Sequence, residues 1–146
     1  MEKELEKLKK LLCGNPKYTV AYTLNSRTFY SESRGIAPLM ALAENGIDLK
    51  NAYVADRIIG RAAALLYVRL GAEKLYTPVA ERRAAEIFSE NKITLYADET
   101  TEKIINRRGD GECPMNLAVA GIKDTDAAYA ALKAAVGGET AVFCEL

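Results

Sequence analysis

Three short stretches place polar or reactive side chains beside the predicted start of a helix. They are Ser33-Arg34-Gly35, Asp56-Arg57 and Cys113-Pro114. The unpaired amides at a helix start favour an anion, and an adjacent arginine adds bidentate pairing. In an open α/β sheet, ligands bind outside the carboxyl ends of the strands, where helix starts converge. We therefore predict that the three stretches line one pocket for a small anionic ligand.

Asn106 and Arg107 are candidates for the same pocket because they lead into the loop that ends at Glu112. This loop, RRGDGE, lacks the spacing of a P-loop and does not follow a strand in the GxGxxG pattern. Its glycines are better explained by a tight turn. Each candidate also has a structural alternative, with Ser33 and Asp56 as helix caps and the arginines as solvated charges.

Cys113 is the candidate nucleophile of the predicted pocket. A helix start stabilises a thiolate, which would allow a thiol-dependent enzyme or a sulfur carrier. The neighbouring charges of Asp110 and Glu112 oppose the thiolate, and a small buried cysteine also serves as a core residue. Packing, ligand contact and covalent chemistry therefore all stay open for Cys113, whereas Cys13 and Cys144 are expected to be structural.

The sequence contains no histidine. This composition excludes His-based zinc sites, Ser-His-Asp and Cys-His nucleophile systems, and imidazole acid–base chemistry. The 3 cysteines are widely spaced, which fits reduced thiols better than a disulfide framework. We expect neither a metal nor another cofactor.

Length and charge restrict the class of protein further. A chain of 146 residues fits a single domain over residues 1–146, and its 20 basic residues balance 20 acidic ones. A balanced charge argues against a general nucleic-acid binder. The start, MEKELEKLKKLL, is amphipathic rather than typical of a signal peptide, and the apolar run at residues 62–68 is too short to span a bilayer. We expect a cytoplasmic protein that does not bind membranes.

A helix within residues 51–70 is the element that must position these candidates. After Arg57 almost every residue is apolar or small, and a helix without a polar face has to lie inside the protein. Asp56 is predicted to cap this helix. Gly60 then falls in the helix interior, where a close neighbouring backbone would explain it.

The remaining elements follow from periodicity and from turn residues. Alternating strands and helices predict one layered α/β domain with a mixed sheet. The predicted elements are an amphipathic helix at 2–12, a hairpin of strands at 18–24 and 28–30, a helix from Ile36 to near Gly46, a strand at 74–77, a helix beginning at Pro78, a strand at 93–97, a strand or turn at 103–106, and finally helices at 113–120 and 125–136 and a strand at 140–144.

Three motifs together carry a resemblance to a known family. SRGIAPL at 33–39, VADRIIGRAAALL at 54–66 and INRRGDGECPMN at 105–116 resemble the uncharacterised bacterial domain-of-unknown-function family 1893, over roughly residues 18–122. The resemblance implies a three-layer cytidine deaminase-like sandwich without an established activity, with a mixed sheet and a central buried helix. The ADRIIGRAAALL segment is also similar to part of the accessory sulfurtransferase of formate dehydrogenase, which has a related fold.

The zinc site of the deaminases is not matched by these motifs. That site needs a His or Cys with a nearby Glu at one helix start and P-C-x-x-C at another. The corresponding positions here carry Asp56-Arg57 and Pro78-Val79-Ala80-Glu81, and Cys113-Pro114 reverses the motif order without a second cysteine. Asn116 stands where an acidic residue is expected after Cys-Pro-Met. The resemblance therefore implies a deaminase-like fold without its metal.

The leading hypothesis is a metal-free relative of the deaminase fold that binds a small anionic, nucleotide-like ligand. Its predicted site residues are Ser33, Arg34, Gly35, Asp56, Asn106, Arg107 and Cys113. One alternative is a thiol-dependent enzyme or sulfur carrier that uses Cys113. A further alternative is a homo-oligomeric interaction module, suggested by the amphipathic first helix.

Overall fold

Strands of a mixed sheet, with helices packed on both faces, organise residues 1–136 and 141–146, which this computed structural model describes. The strands in chain order are β1 (Val20–Leu24), β2 (Arg27–Ser31), β3 (Tyr53–Asp56), β4 (Ile58–Ile59), β5 (Lys74–Glu81), β6 (Thr94–Thr101) and β7 (Cys144–Glu145). The helices are α1 (Lys3–Gly14), α2 (Ala37–Glu44), α3 (Arg61–Arg69), α4 (Arg82–Glu90), α5 (Pro114–Ala118) and α6 (Thr125–Val136).

β3 lies in the middle of the sheet. It pairs antiparallel with β1 and parallel with β5, while β6 pairs parallel with the opposite edge of β5. β2 and β7 extend the sheet beyond β1 as antiparallel strands. β4 continues the line of β3 along β5, since Ala55 lies opposite Tyr76 and Ile58 lies opposite Val79. The same register places Arg57, at the break between β3 and β4, opposite Pro78.

Pro78 explains why the pairing lapses at this point. Proline has no amide hydrogen to donate to a neighbouring strand. β5 pairs with β6 through Thr77 and again from Val79, and on its other edge the pairing passes from Tyr76 with β3 to Val79 with β4. Pro78 is therefore a gap in the strand pairing rather than the start of a helix. The predicted helix start at Pro78 was therefore wrong, and the helix begins at Arg82.

Successive residues of the central strands point to opposite faces of the sheet, where two separate cores form. Ala55 faces a small core that is closed by α1, whereas its neighbour Val54 faces the large core beneath α2 to α6. α1 contributes its buried leucines to the small core, and the other helices cover the opposite face. The small core consists of Leu5, Leu8, Leu12, Ala21, Ala55 and Tyr76.

The buried helix predicted from the alanine-leucine run is confirmed, but its start was placed too early. Residues 62–67 of α3 are all buried. The segment before it forms β3 and β4 rather than a helical lead-in. Asp56 is the last residue of β3, so its predicted role as the cap of this helix was wrong. Gly60 occupies the N-cap position and does not lie in the helix interior.

Side chains from distant parts of the chain cap α3 instead. Glu81 Oε1 accepts a hydrogen bond from the Arg61 amide, and Asn116 Oδ1 accepts one from the Ala62 amide, both at 3.0 Å. These are two of the amides that a helix start leaves unpaired. A Cβ at position 60 would lie 2.5 Å from Asn116 Nδ2. Glycine is required at this position because the Asn116 amide occupies that space.

Most of the other predicted elements are present with shifted ends. The hairpin turns at Asn25 and Ser26, both with positive φ, and α6 has the predicted bounds. β6 runs to Thr101, and α5 ends at Ala118. The segment at 103–106 holds a single bridge between Ile105 and Glu112. β7 covers only the end of the strand predicted at 140–144, of which residue 140 lies outside the described residues. None of the helices described here is both long and apolar enough to cross a bilayer.

Replacement of Gly60 by alanine should destabilise the protein. The new Cβ would displace the Asn116 amide and break its bond to the Ala62 amide, at a cost of about 1–3 kcal/mol in the free energy of unfolding. Urea denaturation measures this change. Gly14→Ala is the matched control, because a Cβ at Gly14 meets no atom within 4 Å. The stability of this variant should not fall. Equal stabilities of Gly60→Ala and wild type would contradict this account of the helix start.

Candidate functional site

A cavity of about 700 Å³ opens at the carboxyl end of β3, beside the start of β1 and the break between β3 and β4. Its volume lies within the range of about 300–1,000 Å³ that is typical of small-molecule sites. Four segments form most of the wall: residues 34–37, 56–60, 104–108 and 113–116. They include the loop after β2, the bend between β3 and β4, and the start of α5.

The structure brings six of the predicted site residues together at this cavity. The seventh, Ser33, does not line it. The Ser33 carbonyl accepts a hydrogen bond from the Thr19 hydroxyl at 2.5 Å, and its amide donates to Ser31 Oγ at 3.2 Å. Ser33 therefore fixes the loop after β2. The six residues that line the cavity are Arg34, Gly35, Asp56, Asn106, Arg107 and Cys113.

Arginines dominate the charge at the mouth of the cavity. We call Arg34, Arg107 and Arg108, which are all exposed and line the cavity, the arginine rim. Within the described residues neither Arg34 nor Arg107 forms an ion pair, and Arg108 lies 3.9 Å from Asp110. Asp56 is the one carboxylate among the residues that line the described cavity. The cavity therefore carries a local positive charge although the chain as a whole is neutral.

Arg57 also lines the cavity, but its guanidinium has a structural role. Its Nε donates to the Tyr18 carbonyl at 2.9 Å, and its Nη2 donates to the Leu12 carbonyl at 2.8 Å. A third contact reaches the Asn15 carbonyl at 3.3 Å. Arg57 thus joins the break in the sheet to the end of α1.

Asp56 is buried at the base of the bend, with 8% of its surface exposed. The Tyr67 hydroxyl, from α3, donates to Asp56 Oδ2 at 2.6 Å. Burial raises the Asp56 pKa from its usual 3.8 to about 7, while the Tyr67 hydroxyl and the Ile58 and Arg57 amides act in the opposite direction. Burial also raises the Tyr67 pKa, so the tyrosine stays a donor. A carboxyl group with a pKa near neutrality can accept or release a proton at the cavity wall.

Asn106 holds the tip of the loop that carries Arg107 and Arg108. Its Nδ2 donates to Asp110 Oδ1 at 2.9 Å, and its Oδ1 accepts from the Asp110 amide at 3.2 Å. Gly109 adopts a positive φ of 74° in the same turn. The glycines of RRGDGE thus serve a turn, as the sequence predicts.

Cys113 lies at the N-cap position of the short helix α5 and is partly exposed in the cavity. Its amide donates to the Ile104 carbonyl at 2.8 Å, which closes the base of the loop. Cys13 and Cys144 are both exposed, so neither is the core residue that a structural role would suggest. Cys113 is the cysteine that faces a concave site.

Comparison with known protein families shows which family the chain belongs to. The profile of a domain of unknown function, DUF1893, matches residues 7–136. The chain belongs to the DUF1893 family. A DUF1893 family protein from Thermotoga maritima has a similar crystal structure, with a TM-score of 0.78 and 18% sequence identity over 93% of this chain and 90% of that one. At this identity the likeness shows a shared fold. No curated protein matches the chain.

A polar cluster, in which Glu81 and Asn116 are buried and Arg61 and Glu112 are partly buried, fixes the loop of this DUF1893 protein to the start of α3, and it was not predicted from the sequence. The Arg61 guanidinium pairs with Glu112, and its Nε donates to the Asn116 carbonyl at 2.9 Å. Glu81, fully buried, lies 4.0 Å from the Arg61 guanidinium. Burial raises the Glu81 pKa, whereas Arg61 lowers it. The sequence gives little signal for Glu81, because two arginines, Arg82 and Arg83, follow it directly and make it resemble part of a charged surface.

Two atoms of this cluster have no hydrogen-bond partner among the described residues: Glu81 Oε2 and Asn116 Nδ2. Asn116 is 2% exposed and lines the cavity. In the part of the chain that is described, no group of three or more His, Cys, Asp or Glu residues is placed to hold a metal ion. The polar side chains that line the cavity are therefore arginines, one carboxyl group, two carboxamides, the Thr19 hydroxyl and a thiol.

Asp56 should titrate near pH 7 in the folded protein, and Tyr67→Phe should raise its pKa further. The tyrosine hydroxyl hydrogen-bonds the carboxylate, so its removal favours the protonated form. Titration of the carboxyl ¹³C resonance measures both values. Tyr96→Phe, at a partly exposed position in β6, is the control and should leave the Asp56 pKa unchanged. An Asp56 pKa near 4 would contradict the observed burial.

The same shift should appear in stability. Between about pH 4 and about pH 7 the unfolded chain releases the Asp56 proton while the folded protein keeps it, so the free energy of unfolding falls as pH rises. Asp56→Asn removes the contribution of Asp56 to the change of unfolding free energy with pH. The contribution of Glu81, whose pKa is also raised, remains in both proteins. Denaturation across this pH range should therefore show a shallower slope for Asp56→Asn. Identical slopes would exclude a raised Asp56 pKa.

Proposed function

We propose that this DUF1893 protein binds a small anionic, nucleotide-like ligand in the cavity, within a cytidine deaminase-like fold that lacks the zinc site. The observation that carries this proposal is the combination of the arginine rim with apolar walls around one cavity of about 700 Å³. The absence of histidine from the chain is consistent with a fold of this kind that works without zinc.

The arginine rim is suited to the anionic end of the ligand. A guanidinium group presents a planar fork of donors that matches phosphate or carboxylate oxygens in pairs. Arg34 and Arg107 come from different loops, and neither has an ion-pair partner among the described residues. A phosphate between them would receive donors from both sides.

Exposed apolar side chains at the same cavity support a second, uncharged part of the ligand. Ile58 is 47% exposed and Ile105 is 55% exposed, and both line the cavity together with Met115. Large apolar residues grouped at a concave surface are typical of binding sites. A flat ring that covers these side chains would remove their apolar surface from water.

A second candidate function is thiol chemistry at Cys113, favoured by the partial exposure of this cysteine in the same cavity. The ligand would then contact the thiol. The interaction-module hypothesis has less support, since it relied on the apolar face of α1. The residues of that face, Leu5, Leu8 and Leu12, are buried against the sheet.

Arg34→Ala and Arg107→Ala should each weaken binding of phosphorylated compounds by about tenfold, the equivalent of about 1.4 kcal/mol. Isothermal titration calorimetry with inorganic phosphate, ribose 5-phosphate, AMP and UMP measures the effect. Arg83→Ala is the matched control, because Arg83 pairs with Glu90 on α4, away from the cavity. The proposal fails if none of these compounds binds, or if the double variant Arg34→Ala/Arg107→Ala binds them like wild type.

A bound ligand should protect Cys113 from alkylation. Cys13 and Cys144 are exposed outside the cavity and serve as internal controls in the same protein. Peptide mass spectrometry after iodoacetamide treatment gives the rate at each cysteine, with and without saturating AMP or UMP. We expect slower modification of Cys113 alone. Equal rates at Cys113 under both conditions would exclude contact between ligand and thiol.

A further inference from the structure

Two of the polar side chains that line the cavity are more than nine-tenths buried. Asp56 is 8% exposed and Asn116 is 2% exposed, in contrast to the exposed arginine rim. A ligand whose anion lies at the rim would place its opposite end near these two residues. The donors and acceptors of these two residues therefore indicate which groups the deepest part of the ligand carries.

Asn116 offers a donor in a defined orientation. Its Oδ1 accepts from the Ala62 amide at 3.0 Å, which assigns the other position of the carboxamide to the nitrogen. Nδ2 has no acceptor among the described residues. A buried polar group without a partner lowers stability, so an acceptor on a ligand would stabilise this arrangement. Gly60, which also lines the cavity, leaves the space in which this nitrogen lies.

Asp56 offers an acceptor. The Tyr67 hydroxyl donates to Oδ2 and holds the carboxyl group in place. An ionised carboxylate has about four lone-pair positions. The Tyr67 hydroxyl uses one of these positions, and the Arg57 amide donates to the Thr19 carbonyl. Asp56 can therefore still accept an N–H from a ligand.

We infer that Asp56 and Asn116 together recognise a neutral nitrogen ring in which an N–H donor adjoins an acceptor atom. The N–H donates to the Asp56 carboxyl, and a neighbouring carbonyl or ring nitrogen accepts from Asn116 Nδ2. This inference rests on the proposed function, because the arginine rim supplies the charge recognition at the other end. The apolar surfaces of Ile58 and Ile105 lie against the faces of the ring.

Matched nucleotide pairs test the role of the N–H. UMP is compared with its N3-methyl derivative, and AMP with its N6,N6-dimethyl derivative, each by calorimetry with the wild-type protein. Ribose 5-phosphate, which has no ring base, gives the affinity of the anionic end alone. We expect UMP or AMP to bind more tightly than ribose 5-phosphate. We also expect methylation of the bound nucleotide to weaken binding about tenfold.

Variants then assign the effect to the two residues. Asn116→Asp keeps an acceptor for the Ala62 amide but removes the donors, and Asp56→Asn changes the acceptor while keeping the side-chain shape. Both should bind UMP and ribose 5-phosphate with more similar affinities than wild type does. Asn45→Asp, at the exposed end of α2, is the matched control and should retain the wild-type preference. Circular dichroism confirms that each variant is folded.

The possible failures are distinguishable. If ribose 5-phosphate binds as tightly as the nucleotides, or if methylation has no effect, the inference about Asp56 and Asn116 is wrong while the arginine rim stands. Should neither variant change the preference in a folded protein, the inference is also wrong. If no phosphorylated compound binds, both the inference and the proposed function are overturned.

Discussion

The unpaired amides in the first turn of α3 donate no hydrogen bond to a side chain of that turn. The cavity depends on the distant side chains that bond these amides instead. Gly60 leaves room for Asn116, and Glu81 arrives from the end of β5. These two caps join the end of β5, the start of α3 and the helix α5. Arg61 then fixes the loop that carries Arg107 and Arg108 through Glu112. The wall of the cavity is therefore held by buried polar contacts as well as by apolar packing.

Burial of Asp56 follows from the same local geometry. Pro78 interrupts the pairing of β5, the chain bends at Arg57, and β3 ends with a carboxyl group inside the protein. Tyr67 compensates part of the desolvation with its hydroxyl. The remaining penalty raises the Asp56 pKa to about 7. An acidic group retained in such an environment is more typical of a functional site than of packing.

Sequence reasoning succeeded where the signal is local and failed where it depends on distant contacts. The buried face of α3, the hairpin and α6 follow from composition and periodicity. β3 was interpreted as the entry to a helix and β4 as its first turn, because strands of four and two residues carry little periodicity. Glu81 and Asn116, which cap α3, are separated in sequence by 20 and 54 positions from the amides that they bond. No local pattern reveals such caps. Grouping of the candidate residues was predictable, because strand ends and the loops after them meet at one edge of a sheet.

Amide chemical shifts recorded during a titration with UMP or AMP test the central claim, that this cavity is the ligand site, most directly. The account predicts shifts confined to the loop after β2, the bend between β3 and β4, the loop of residues 104–108 and the start of α5, with Gly35, Gly60 and Asn116 among the affected amides. The residues of β2 and β7, at the opposite edge of the sheet from β6, should not respond. Shifts that cluster on α1 or β7, or a spectrum unchanged at saturating nucleotide, would contradict it.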